Sequence, residues 1–89
     1  MPTRTLEIVN EKGLHARASA KFVECVEKHD AMAVVRKDGL EASGDSIMGL
    51  LMLAASRGTS IEVETSGPDE GALMDALDAL VADCFGEGM

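Results

Sequence analysis

Hydrophobic and polar positions along the chain change period several times, and each change marks an element. Thr5-Leu6-Glu7-Ile8-Val9 partly alternates, with Leu6 and Ile8 on one side, and predicts a strand. Asn10-Glu11-Lys12-Gly13 is a polar turn. A helix is expected from Ala16 to Lys28, because strong helix formers dominate and Ser19, Phe22, Val23 and Val26 fall on one inner face. Ala31 through Arg36 predicts a second strand. Lys37-Asp38-Gly39 supplies hairpin chemistry, and Leu40-Glu41-Ala42 predicts a short third strand.

Ser43-Gly44-Asp45-Ser46 is a further turn, followed by the apolar run Ile47-Met48-Gly49-Leu50-Leu51-Met52-Leu53. Its period fits a strand or a helix; Ser46 as an N-cap and the Met and Leu residues, which are not β-branched, favour a helix. Ser60-Ile61-Glu62-Val63-Glu64-Thr65 alternates cleanly and predicts the last strand. Gly67-Pro68-Asp69-Glu70 then opens a final helix with proline in its first turn. Leu73, Leu77, Leu80, Val81 and Cys84 recur on its inner face, Asp75, Asp78 and Asp83 face water, and Gly86 and Gly88 loosen the end. The order is β-α-β-β-α-β-α, which predicts a two-layer α/β (α+β) open-faced β-sandwich: a four-stranded antiparallel sheet with one solvated face, covered on the other by three helices. Residues 1–89 are expected to form a single domain.

Charge narrows the function classes. The net charge is -8, and it is unevenly placed: residues 1–60 carry eight basic and eight acidic side chains, whereas residues 61–89 carry eight acidic side chains and no basic one. That balance, with Phe22 and Phe85 as the only aromatics, argues against nucleic acid as a partner. No apolar run approaches membrane-spanning length, and the N-terminal residues do not read as a secretory signal. Cys25 and Cys84 form no C-x-x-C motif and read as buried free thiols, so a cytoplasmic location is expected. There is no zinc spacing, phosphate-binding glycine loop or nucleophile elbow; neither metal nor cofactor is expected.

The segment Gly13-Leu14-His15-Ala16-Arg17 carries the chemistry. His15 stands where a helix begins, among backbone N–H groups that lack intrahelical partners and favour negative charge. Neutral imidazole is a phosphoryl nucleophile, and histidine changes charge near neutral pH. Arg17, in the first turn, offers a planar fork of donors to phosphate oxygens. The plainer alternative makes His15 a helix cap and Arg17 a surface residue. His29, at the far end of the same helix, reads as structural. Ser46 reads as an N-cap that would also suit a phosphoserine, and Met48, Leu51 and Met52 fit either core or a docking patch.

With Gly13-Leu14-His15-Ala16-Arg17, Ser46-Ile47-Met48-Gly49-Leu50 and Arg57-Gly58-Thr59 in place, nearly the whole chain resembles the histidine-containing phosphocarrier (HPr) family of the bacterial phosphotransferase system. The resemblance implies that His15 accepts a phosphoryl group on Nδ1 from phosphorylated Enzyme I and passes it to a histidine of an EIIA-type protein, steadied by Arg17. It implies regulatory phosphorylation of Ser46 by HPr kinase/phosphorylase, and docking of these partners on Ala16, Ala20, Ile47, Met48 and Leu51, by a monomeric carrier rather than a stand-alone enzyme. The family usually has proline directly after the arginine; this chain has Ala18, which resembles the nitrogen-related or regulatory branch. Two rivals remain: a regulatory binding module that uses the same face without phosphoryl transfer, and a small acylphosphatase-like hydrolase, for which no arginine-plus-asparagine loop is evident.

Overall fold

A computed structural model describes residues 2–86. Its elements are β1 (Thr3–Glu7), α1 (Ala16–Glu27), β2 (Met32–Lys37), β3 (Leu40–Ser43), α2 (Ile47–Met52), β4 (Ser60–Ser66) and α3 (Glu70–Ala82), followed by a 3-10 turn, Cys84–Gly86. The strands form one antiparallel sheet in the order β1-β4-β2-β3. The expected order and fold class are therefore found; the expectation about Gly88 lies outside the described residues.

Strand register sorts the two faces of the sheet. Leu6 pairs with Ile61, while Val63 and Ala42 flank Val35; all five are buried toward the helices. The alternate positions face solvent. There Thr5, Glu62, Arg36 and Glu41 line up across four strands. Arg36 Nη2 donates to Glu64 at 2.8 Å, Nε to Glu41 at 2.9 Å and Nη1 to Glu62 at 3.3 Å. These hydrogen bonds, first with Glu64 and then with Glu41, push the guanidinium pKa further above its ordinary value.

Against the inner face lie Phe22, Val23 and Val26 of α1 and Leu73, Met74, Leu77 and Val81 of α3. The inner face of α1 is as the pattern predicts. On α3, Met74 is buried although the pattern omits it, and Leu80 only packs partly against the core.

Some boundaries move for identifiable reasons. The first strand runs over Thr3–Glu7 rather than residues 5–9, because its partner β4 begins at Ser60, opposite Glu7. Beyond that, Ile8 bonds to the turn instead: its N–H donates to Thr59 O and its carbonyl accepts from Gly58 N. The last helix begins at Glu70, so Pro68 lies before the cap rather than in the first turn. Asp69 holds the cap position, but its carboxylate accepts the backbone N–H of Asp30 at 2.8 Å, tying two loops together.

Cys84 is not on the helical face. The chain leaves α3 at Asp83, and Cys84 and Phe85 both adopt left-handed backbone conformations, with φ of 54° and 55°. Such geometry costs roughly 1–2 kcal/mol per residue. Complete burial of the Phe85 ring offsets it with about 1.5–3 kcal/mol. Lys21 of α1 donates to the Phe85 carbonyl at 2.8 Å, which holds the turn against the helix. Both cysteines are half-buried free thiols.

Candidate functional site

His15 is the N-cap of α1. Its backbone is extended, with φ -79° and ψ -176°, and its carbonyl accepts the first helical bond from Ser19 N at 2.8 Å. The ring turns back onto the helix end, where Nδ1 accepts the backbone N–H of Arg17 at 3.2 Å. A ring nitrogen that accepts carries no proton, so the proton of the neutral imidazole sits on Nε2. Nδ1 therefore keeps a lone pair directed toward the positive end of the helix dipole.

Two neighbouring turns hold this cap. The Asn10–Gly13 turn is closed by Gly13 N to Asn10 O at 3.1 Å, and the buried Asn10 side chain donates Nδ2 to Gly13 O at 2.7 Å. Gly13 has φ 67°, and a Cβ there would lie 2.5 Å from Ala55 O. Leu14 N then donates to that same Ala55 carbonyl at 2.8 Å, joining the segment before α1 to the segment after α2. The second turn, Ser56–Thr59, is closed by Thr59 N and Thr59 Oγ1, both donating to Ser56 O. Inside α1, Ser19 is buried and donates its hydroxyl to Leu14 O at 3.3 Å.

Between these turns His15 borders an open cavity of about 310 Å³, shared with Lys12, Leu51, Ala54 and Ser56. Larger hollows lie elsewhere, one of about 350 Å³ beside the β2–β3 hairpin and one of about 500 Å³ between α1 and α3, and neither includes the histidine. Arg17 is exposed beside His15, and no carboxylate pairs with it among the described residues.

Ser46 caps α2, its Oγ accepting Gly49 N at 3.1 Å. This helix is divided by burial. Leu50 is fully buried and Leu53 beyond its end nearly so, whereas Ile47, Met48 and Met52 are 40%, 69% and 74% exposed. Leu51 is half-buried, and Ala16 and Ala20 of α1 are exposed. The ambiguity between core and patch is thus resolved residue by residue: Met48 and Met52 are surface, and the buried anchors are Leu50 and Leu53. Sequence reasoning did not single out Lys12, Ala55 or Ser56, because they meet His15 only through the fold.

His29 lies just past the other end of α1, with Nδ1 2.8 Å from Cys25 O. Burial pushes the Cys25 thiol pKa up; Lys28 opposes the shift and Glu24 adds to it. Among the described residues no group of three or more His, Cys, Asp or Glu side chains could hold a metal ion, and no helix is long and apolar enough to cross a membrane.

Residues 2–83 match the family model described as "PTS HPr component phosphorylation site". A phosphocarrier protein HPr from Neisseria meningitidis is 48% identical over 88 residues, covering 99% of both chains. A phosphocarrier protein NPr from Escherichia coli is 41% identical over 85 residues, covering 94% of both. Among solved structures, HPr from Thermoanaerobacter tengcongensis superposes with a TM-score of 0.94 at 37% identity over the full length of both chains.

Proposed function

The chain belongs to the HPr family of phosphocarrier proteins of the bacterial phosphotransferase system, and on that premise we propose that His15 is its phosphoryl acceptor and donor. Membership makes the protein a carrier in a phosphoryl relay rather than an enzyme with an independent active site. The observation that supports His15 is the bond from Arg17 N–H to its Nδ1. That bond leaves the nucleophilic lone pair on the nitrogen closest to free helix donors.

In the forward step, Nδ1 attacks the phosphorus of a phosphohistidine on Enzyme I. The new N–P bond forms as the donor's N–P bond breaks, and the electron pair returns to the donor nitrogen. Nε2 keeps its proton. The phosphoryl oxygens then accept hydrogen bonds from the N-terminal N–H groups of α1, and the Arg17 guanidinium adds charge-assisted donors. The reverse attack, by a histidine of an EIIA-type protein, discharges the carrier. Such transfers depend on positioning and charge stabilisation, which the two partner surfaces supply together.

Docking is assigned to Ala16 and Ala20 of α1 with Ile47, Met48 and Leu51 of α2, an apolar surface beside the histidine; the exposed Met52 extends it. Ser46 is assigned as the regulatory site for HPr kinase/phosphorylase. A phosphate there would add negative charge beside Ile47 and Met48.

Incubation with Enzyme I and labelled phosphoenolpyruvate tests the acceptor. The wild type is expected to take up acid-labile label and His15→Ala to take up none. Undiminished labelling of His15→Ala would overturn the assignment. For the regulatory site, Ser46→Asp is expected to weaken Enzyme I binding roughly tenfold in titration calorimetry; equal affinity would remove Ser46 from the docking account.

A further inference from the structure

Among the described residues, four of the eight Lys and Arg side chains are held by carboxylates. Arg4 pairs with Asp75 and Asp78, Lys28 with Glu24, Arg36 with three glutamates and Lys37 with Asp38. Lys21 instead donates to the Phe85 carbonyl. Among the described residues, Lys12, Arg17 and Arg57 make no ion pair, and Lys12 and Arg17 lie within three positions of His15. Arg17 lies two positions beyond it. Lys12 borders the same cavity as the imidazole, and Arg57 follows Ser56, which also borders it.

The turn carrying Lys12 is firmly built. The Asn10 side chain, the Gly13 N–H bond and the bond from Leu14 N to Ala55 O fix its backbone, so the exposed lysine stem starts from a defined place. A flexible ammonium on a fixed stem suits a charge that is present only part of the time. The charged groups nearest in sequence are Glu11, which makes no ion pair with it, and Arg17 beyond the histidine.

We propose that Lys12 contacts the phosphoryl group carried by His15, from the cavity side and apart from Arg17, and so lowers the affinity of that group for its second proton. The inference rests on His15 being the phosphoryl acceptor.

The test uses the full chain, phosphorylated by Enzyme I and phosphoenolpyruvate and followed by 31P NMR across pH. The titration midpoint of the bound phosphoryl group is read in wild type, Lys12→Ala, Lys12→Gln and Lys12→Arg. Lys28→Ala is the control; it removes the same charge from the C-cap of α1, about 20 Å from His15 along the helix. Lys12→Ala and Lys12→Gln are expected to raise the midpoint by roughly 0.3–1 unit, Lys12→Arg to restore it, and the difference to shrink at high salt. Midpoints equal to that of Lys28→Ala would overturn the inference. Two neutral replacements of an exposed side chain guard against one that fails to fold, and a purely structural role would not be rescued through charge. Absence of label on His15 in the wild type would instead overturn the acceptor assignment, so the two failures are distinguishable.

Discussion

The outer face of the sheet and the N-terminal end of α1 use arginine in opposite ways. On the sheet, Arg36 is surrounded by Glu41, Glu62 and Glu64 on two neighbouring strands, and its donors are committed. At the helix end, Arg17 is exposed with no carboxylate partner among the described residues, although the chain as a whole is strongly acidic. The acidic side chains thus occupy the cations of one region and spare those of the other. A guanidinium already satisfied by carboxylates has little left to offer a phosphate; an exposed one with no carboxylate partner keeps its donors for it.

This contrast can be broken or sharpened by substitution. The largest effect on folding is expected from Gly13→Ala. Its Cβ would meet the Ala55 carbonyl, and φ 67° disfavours a side chain. A loss of roughly 2–3 kcal/mol is expected, lowering the melting temperature by roughly 10 °C or more; an unchanged melt would mean that the site rests on other supports. Next come the two arginines as a pair. Arg17→Ala is expected to slow phosphoryl transfer roughly 10- to 100-fold without changing the melting temperature. Arg36→Ala is expected to leave transfer intact and to produce a small loss of thermal stability that fades with added salt, since surface ion pairs are individually weak. Similar transfer rates for the two variants would erase the distinction.

Much of this was legible in the sequence because it is written locally. The clean alternation of Ile61, Glu62, Val63 and Glu64 places one row inside and one outside, and the structure follows it. The Gly13-Leu14-His15-Ala16-Arg17 segment announces a turn, a cap and a helix start within five residues. The rest depends on segments distant along the chain. Where the first strand stops depends on Ser60, and Asp69 is drawn from its cap by Asp30 N. Cys84 leaves the helical pattern because the buried ring of Phe85 pulls the chain through a left-handed turn. Lys12 and Ser56 share a cavity with His15 only because the Leu14–Ala55 hydrogen bond brings two loops together, and no periodicity encodes that contact.

The cap at His15 has a further consequence for energetics. In the resting protein the Arg17 N–H is already occupied by the imidazole. On the proposed assignment of His15, arriving phosphoryl oxygens would take over that donor from the imidazole, so the Arg17 N–H has an acceptor in both states. Loading and unloading at the proposed site would then ask little rearrangement of the backbone at this helix end, since the same cap serves the empty and the loaded histidine.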